Sequence, residues 1–354
     1  MQQYHDLDPF NHGTTTRTYE EMDSDEEKYL ATILNKGWNI ENAKILILSA
    51  GAEKNSNNYR VSSDSGDYLL KHSHINDPKI QRTINNSVNF LKENGIKTPT
   101  IIRTRDDASF LEYNSSLYCL YQFIEGEHFD GSQQELKNVA TEVARLHKTL
   151  EEIPYRTEIM KFSDNPIMHD REPLEKIIKK VKEKEQKDEF DYFVLGLIDE
   201  IDERSYKINE AKIENLPFQI IHYDLHPHNV LFDTESKELL SLLDFDPLRY
   251  SQRARDVGFS MHRFARTCGE KTEKKNDIGV DVRERGRVYL KEYMSQNQLT
   301  DEEIESIPLL IQDEAMKRII TILKNHYLNN DPTWSFDLPK QIITLREGEM
   351  FTDI

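Results

Sequence analysis

The chain has 354 residues and carries 46 Lys and Arg against 64 Asp and Glu, a formal net charge of −18 at pH 7. So large a negative surplus repels phosphate backbones and anionic headgroups, which argues against nucleic acid or a membrane surface as the main partner. With 37% hydrophobic residues the chain can bury a core, and its length predicts two domains or one large lobed domain.

The two cysteines, Cys119 and Cys268, lie far apart without metal-ligand spacing. This predicts a reducing, cytoplasmic setting and no disulfide framework. The N-terminal MQQYHDLDPFNHG has no basic start followed by an apolar run, unlike a signal peptide. No apolar stretch approaches the ~20 residues that span a bilayer.

Residues 1–23 are polar and aperiodic and read as a loosely attached tail. A short helix follows, with Ser24 as N-cap and Tyr29, Leu30, Ile33 and Leu34 on one face. Three apolar segments, Lys44–Ser49, Asn58–Ser62 and Asp67–Lys71, are separated by turn-rich AGAEKNSN and SDSG, which predicts an antiparallel meander. Ile80, Ile84, Val88 and Leu91 recur at helical spacing, so a helix is expected from Pro78 to Asn94, ended by Gly95. After Thr100–Arg103, the run Leu117–Ile124 reads as a buried strand leading into a connector at Glu125 and Gly126.

From Ser132 the character turns helical. Leu136, Val139, Ala140, Val143, Leu146 and Leu150 form one stripe. Phe190, Phe193, Val194, Leu197, Ile198 and Ile201 form another, and Ile311–Tyr327 a third. The charge-dense KIIKKVKEKEQKDE between the first two reads as a solvated helix face. The expected division is a tail at 1–23, a strand-rich part at 24–124 and a helical part at 125–354.

One stretch breaks the helical pattern: FQIIHYDLHPHNVLFDTESKELLSLLDFD, residues 218–246. It reads as a strand at 218–222, a polar loop, and a hairpin of strands 230–232 and 239–243. With the turn centred near Ser236, Asn229 falls opposite Leu243, one residue from Asp244. The pairing brings an amide and a carboxylate to one end of the hairpin, with Asp224 across the same loop. Mg²⁺ takes such oxygens together with nucleotide phosphates, and a further Asp can orient a hydroxyl and accept its proton. Kinases divide phosphoryl transfer among such groups, and H-x-D-x-x-x-x-N followed by D-F-D is a specific spacing.

The segment HYDLHPHNVLFD…LLDFD resembles the aminoglycoside phosphotransferase / choline kinase family of small-molecule kinases. NGIKTP, YQFIEG, VARLHKTL and RDVGFSMHRF extend the likeness along roughly residues 30–330. The resemblance implies an α+β, protein-kinase-like two-lobed fold, with an antiparallel sheet and one main helix in the N-terminal lobe and a larger, mainly helical C-terminal lobe. It implies Asp224 as catalytic base, Asn229 and Asp244 as Mg²⁺ ligands, and Lys71 as a phosphate contact. Gln122, Phe123 and Ile124 would form the hinge beside the nucleotide base, and Gly51 and Asn57 would lie in the loop over the phosphates. ATP is the implied co-substrate.

Two departures accompany the likeness. The phosphate loop SAGAEKNSNNYRV has one glycine where protein kinases carry three, so Gly51 and Asn55–Asn58 also read as an ordinary hairpin turn. The 78–94 helix holds no acid where the family places the Glu that pairs with the strand lysine. Gln81, Ile84 and Asn85 stand there instead, and Glu93 is too near the helix end. A neutral partner orients Lys71, or the acid comes from elsewhere, or the alignment is displaced.

His222, His226 and His228 also raise a metallohydrolase reading. The kinase reading treats the first two as scaffold groups bonding the loop and His228 as exposed. It treats Asp246 as a second metal contact or a turn residue, Asp256 as an anchor and His147 as packing. It places Arg249, Arg253 and Arg255 on a solvated or salt-bridged surface. The expected activity is ATP-dependent phosphorylation of a small hydroxylated acceptor. The acidic composition favours a cationic one, an aminoglycoside or choline-like amine, with Trp334 or Tyr327 in cation–π contact. Amino alcohols and sugars stay open. The alternative is a nucleotide-binding pseudokinase or scaffold, motivated by the missing helix acid and the reduced loop.

Overall fold

The structure is a computed structural model describing residues 17–49, 57–163, 168–211, 216–266 and 282–352. Its first part is one sheet. β1 (Thr18–Glu20), β2 (Lys44–Ser49), β3 (Asn58–Ser63), β4 (Gly66–His72) and β7 (Ser116–Gln122) lie side by side. The short strands β5 (Ile101–Ile102) and β6 (Leu111–Tyr113) both pair with β7. All pairings are antiparallel, and the β2–β3–β4 meander is the predicted one. Alternation in these strands turns Ile45, Tyr59, Val61, Leu70 and Leu120 onto Leu30, Ile33 and Leu34 of α1 (Ser24–Trp38). Each such burial contributes ~1.5–3 kcal/mol.

Two expectations about the N-terminus are corrected. Residues 18–20 are not part of a loose tail: Thr18 pairs with Ser49 and Glu20 with Ile47, extending the sheet by a strand. The cap of α1 is Asp23 rather than Ser24, because its carboxylate reaches the otherwise orphaned N–H groups of Asp25 (2.9 Å) and Glu26 (3.0 Å). The helix α2 (Pro78–Glu93) forms as expected, capped by Asp77, opened by Pro78 and closed by Gly95 at φ 78°.

The helical part comprises α3 (Gln133–Leu150), α4 (Arg156–Phe162), α5 (Glu172–Glu183), α6 (Glu189–Leu195) and α7 (Ile198–Glu210), then α8 (Arg253–Arg266), α9 (Val282–Gln296), α10 (Asp301–Leu328) and α11 (Leu338–Gly348). The stripe from Phe190 to Ile201 is two helices, not one, separated at Gly196 and Leu197. The charge-dense segment is α5, solvated on one face while Leu174, Ile177 and Val181 are buried. Between α7 and α8 lie two small antiparallel sheets. One pairs β9 (Val230–Phe232) with β10 (Leu239–Leu242). The other pairs β8 (Phe218–Ile221) with β11 (Arg249–Gln252), a strand the sequence pattern did not reveal.

Hydrogen bonds join the two parts beside the hairpin. Glu127 and Phe232 exchange backbone bonds of 3.0 and 2.8 Å, and the Leu242 N–H donates to Lys97 O (2.8 Å). Gly126 suits this approach, since a Cβ there would lie 2.9 Å from the Phe232 carbonyl oxygen. His128 Nδ1 meets Val230 O at 3.0 Å, and burial, with Arg17 nearby, pushes its pKa down to about 3. The unfolded chain therefore takes up a proton that the native state refuses. Stability should fall as pH drops from about 6.5 toward 3, by at most ~1.4 kcal/mol per pH unit from this group. Urea midpoints across that range should flatten in His128→Gln; an unchanged slope would remove His128 from the account.

Candidate active site

The hairpin register is the first fact about the site. Val230 faces Leu242, Leu231 faces Ser241, and the Leu243 N–H donates to Asn229 O at 2.8 Å. Asn229 and Asp244 therefore leave the same end of the ribbon. Asn229 Nδ2 donates to Asp224 O (2.8 Å) and Asp224 Oδ2 (3.2 Å) and lies 3.2 Å from His226 Nε2. With the amide nitrogen so engaged, its oxygen is the atom left to meet a cation.

Asp224 sits on a strained loop. Tyr223 adopts φ 72° and Asp244 φ 56°, both left-handed, which costs ~1–3 kcal/mol for a non-glycine residue. The loop is held from below. Asp256 of α8 accepts the N–H groups of His222 and Tyr223, both at 2.9 Å, and meets His147 Nε2 at 3.0 Å. His147 in turn lies 2.8 Å from Tyr293 OH. Asp256 anchors the loop as expected, whereas His147 is more than packing: fully buried, it links that anchor to α9.

His222 Nε2 lies 2.9 Å from Leu243 O while its Nδ1 accepts from Asp224 N (3.4 Å), so it ties the loop to the hairpin. Burial pushes its pKa down, which keeps it neutral with Nε2 as donor. His226 accepts the His228 N–H (3.2 Å) and lies 3.4 Å from Asp224. His228 is half-buried rather than exposed, its ring edge-on to His128 and His226. Burial favours protonation of Asp224, yet the His226 bond and the nearby Arg318 prevail and hold its pKa well below the ordinary range.

Lys71 leaves β4 opposite Cys119 and Asn58 and is 14% exposed. Its Nζ contacts Asp244 Oδ1 at 2.7 Å and Asp246 Oδ2 at 2.8 Å. Despite burial, those two carboxylates hold its pKa above the ordinary lysine value, and Lys71 depresses that of Asp244. The missing helix acid thus has a replacement from the hairpin side. On α2, Gln81 accepts from Ser73 (2.6 Å), and Asn85 donates to Ser109 O (2.9 Å); neither pairs with Lys71.

The other predicted residues lie around this centre. Gln122 N–H donates to Thr100 O (2.9 Å), Phe123 N–H to Asp67 O (3.1 Å), and Ile124 O accepts from Arg17 (3.0 Å). Arg60 lies 4.4 Å from the Phe123 ring centroid. Asn57 opens the β3 edge, its carbonyl accepting from His72 N–H (2.8 Å). Gly51 lies outside the described residues, as does Cys268. Two surface assignments and one expected aromatic contact are corrected. Arg253 and Arg255 are buried, paired at 2.6 Å with Glu303 and with Asp313 and Glu314, respectively. Tyr327 is buried with its hydroxyl on Asp191 Oδ1 (2.9 Å), leaving no face for a cation, while Trp334 is exposed beside Phe336.

Two residues near Asp224 escaped the sequence reading. Arg318 of α10 is 3.8 Å from its carboxylate, and Tyr293 completes the His147 link. Neither neighbours the motif in sequence; only helix packing brings them in. Among the described residues no group of three or more His, Cys, Asp or Glu is arranged to hold a metal, and His222 and His226 instead bond the backbone of the loop and hairpin. No described helix is long and apolar enough to cross a membrane.

The sequence model of a family described as "Phosphotransferase enzyme family" matches residues 47–287, more than half of the chain. A homoserine kinase of Chelativorans sp. (strain BNC1) is 25% identical over 286 residues, 79% of this chain and 80% of that protein. A homoserine kinase of Rhizobium meliloti (strain 1021) is 34% identical over 128 residues, and that match spans only 36% of either chain. Among solved structures, a spectinomycin phosphotransferase in complex with ADP and spectinomycin superposes with a TM-score of 0.69 at 16% identity, covering 92% of this chain and 97% of that one. That likeness establishes the protein-kinase-like fold.

Proposed function

The chain belongs to the phosphotransferase enzyme family and is an ATP-dependent kinase of small hydroxylated molecules, and from that premise we propose how its residues divide the transfer. The carrying observation is the convergence of Asp224, Asn229 and Asp244 at one end of the hairpin, with Lys71 reaching Asp244 at 2.7 Å. Residues 17–124 would hold the nucleotide and residues 125–354 the acceptor, with Gln122–Ile124 beside the base and Asn57 at the mouth of the phosphate loop.

Asp224 is ionised at neutral pH and orients the acceptor hydroxyl, whose oxygen bonds to the γ-phosphorus while the bond to the bridging oxygen of ADP breaks. The hydroxyl proton passes to Asp224. Lys71 steadies the α- and β-phosphates and Asp246 keeps it in place, so ion pairing to Asp244 is exchanged for pairing to phosphate. Asn229 and Asp244 offer the amide oxygen and carboxylate that suit Mg²⁺, which when bound neutralises developing phosphate charge. Asp256, His147 and His222 act at one remove by holding the Asp224 loop in its strained conformation.

The test is incubation with labelled ATP, Mg²⁺ and a fractionated metabolite pool, with melting followed in parallel. Nucleotide at 100 times its Kd should stabilise the fold by ~2.7 kcal/mol. No stabilisation by nucleotide with any divalent metal would reject the reading. Lys71→Met should raise the Kd of Mg·ATP by roughly 10- to 100-fold, the worth of a charge-assisted contact. An unchanged Kd by calorimetry would place the triphosphate elsewhere. Nothing favours the pseudokinase alternative: the acid missing from α2 is replaced by Asp246.

A further inference from the structure

Strand register sets Arg17 on the inner face of the N-terminal sheet. Side chains alternate along a strand, so Leu69 and Lys71 share one face of β4 while Leu70 turns the other way, onto α1. Leu69 pairs with Arg60, Arg60 with Leu46, and Leu48 with Tyr19. Arg17, two residues before Tyr19, therefore issues from the face that carries Lys71. Its Nη1 donates to Ile124 O at 3.0 Å, which takes a side chain from the start of the sheet across to the connector after β7. Two guanidinium groups lie against the Phe123 ring there. Arg60, 4.4 Å from its centroid, is matched by Asp67 (3.0 Å) and Glu125 (2.7 Å). Arg17, 5.3 Å from it, is held by the neutral Ile124 carbonyl. Burial pushes the Arg17 pKa down and Arg60 adds to this, against the pull of Tyr19 and Glu125. A guanidinium has five N–H donors in one plane, and the Ile124 carbonyl uses one of them.

A bare acceptor stands beside that donor. After burial, Arg17 is the group that most lowers the pKa of His128. The His128 ring is 6% exposed, and its Nδ1 carries the proton because Val230 O, 3.0 Å away, can only accept. Nε2 of the neutral ring is then a lone pair, and among the described residues it has no hydrogen-bond partner. A buried acceptor left unmet is costly, so such an atom marks a place where a donor belongs. Position says which donor. Ile124 is part of the hinge assigned to the base, and Val230 follows Asn229, assigned to the metal and phosphates. The part of a nucleotide between its base and its phosphates is the sugar. A sugar hydroxyl accepts from a guanidinium and donates to an imidazole nitrogen, whereas an ionised phosphate oxygen has no proton to give Nε2.

We propose that Arg17 is a nucleotide-binding residue that, with His128, holds the ribose: its guanidinium donates to a sugar hydroxyl, and that hydroxyl donates to His128 Nε2. This rests on the kinase reading above and deepens it at the sugar end of the nucleotide. Arg17 stands outside residues 47–287, the stretch matched by the family's sequence model, so this contact is one the chain adds through β1. Thr18 pairs with Ser49 at the end of β2, which fixes the base of the Arg17 side chain to the sheet over the cleft.

The test compares ATP with 2′,3′-dideoxy-ATP, which keeps the base and the triphosphate and lacks both sugar hydroxyls. By calorimetry with Mg²⁺, the full chain should bind ATP about tenfold or more tightly than the dideoxy nucleotide. Arg17→Gln should raise the Kd of ATP by about tenfold and leave that of the dideoxy nucleotide within about twofold, so that the preference collapses. His128→Phe, which keeps a flat ring without the lone pair, should reduce the same preference. Equal binding of the two nucleotides by the unaltered chain overturns the proposal without recourse to any variant. Arg17→Gln that tightens ATP overturns it too, since Arg17 would then obstruct the cleft. Arg17→Gln that weakens both nucleotides alike also overturns it, by moving the contact to the base or the phosphates. Failure of the kinase reading shows separately, as no binding of either nucleotide to the unaltered chain.

Discussion

Asp224→Asn should lower kcat by ~10²–10⁴ while leaving the Kd of Mg·ATP within about threefold of the wild type. The substitution is nearly isosteric and keeps an oxygen for Asn229 Nδ2, so the loop held by Asp256 keeps its shape. What the variant removes is the group proposed to accept the hydroxyl proton. The wild-type carboxylate is available across the neutral range because His226 and Arg318 outweigh burial and keep it ionised. No acid limb of the pH profile at neutral pH should arise from this group. Rapid-quench measurement of phosphoryl transfer checks the rate, and calorimetry checks the nucleotide. A loss of less than tenfold in kcat would mean that positioning alone accounts for the acceleration and that Asp224 is not the base.

Arg255→Met should destabilise the fold by ~3–5 kcal/mol, the largest stability effect expected of any single change in the site's support. Arg255 is 1% exposed, and its guanidinium lies 2.6 Å from both Asp313 and Glu314. Asp313 is also bonded by His169, through N–H (2.9 Å) and Nδ1 (2.8 Å). Removing the arginine leaves the two buried carboxylates with Lys317, at 3.3 and 3.1 Å, beside the His169 bonds to Asp313 and the Tyr223 hydroxyl on Glu314. The penalty is the desolvation of an uncompensated charge, not the worth of the pair. Arg255→Met combined with Glu314→Gln should therefore recover part of the loss. Urea unfolding of the three proteins tests this. A single variant within about 1 kcal/mol of the wild type would show that solvent reaches the group and screens it.

The two experiments probe different layers. The first removes a group placed by local chain geometry. The second removes a support assembled from helices distant in sequence, α8 and α10, and contact between such elements is what periodicity cannot report. Arg255 looked like one of three surface cations because its neighbours Arg249 and Arg253 are also basic. Its burial follows from the packing of α8 on α10, where an arginine is tolerated because two acids meet it.

The legible part of the site was its hairpin. Strand pairing at a short turn is local, and the distance from Asn229 to Asp244 is set by counting along one ribbon. The meander and α2 were legible for a similar reason: alternation, helical spacing, Pro78 and Gly95 are signals carried within the element. The β8–β11 pairing was not, because residues 249–252 are a short strand without alternation strong enough to distinguish it from a turn. Nor was the addition of residues 18–20 to the sheet, since an edge strand of three exposed residues has almost no hydrophobic pattern. The partner of Lys71 was sought on α2, where a sequence alignment would put it; it stands instead on the segment after the hairpin.

By itself the sequence determined the identities and spacing of Asp224, Asn229 and Asp244, the meander that carries Lys71, and hence the reaction class. These are short-range properties, fixed by hydrogen-bond geometry within one or two adjacent elements. Tertiary structure alone decided which acid meets Lys71 and what holds the Asp224 loop. Those depend on side chains separated by tens to hundreds of positions and brought within a few ångströms by the packing of distant elements, which no local pattern in the sequence encodes.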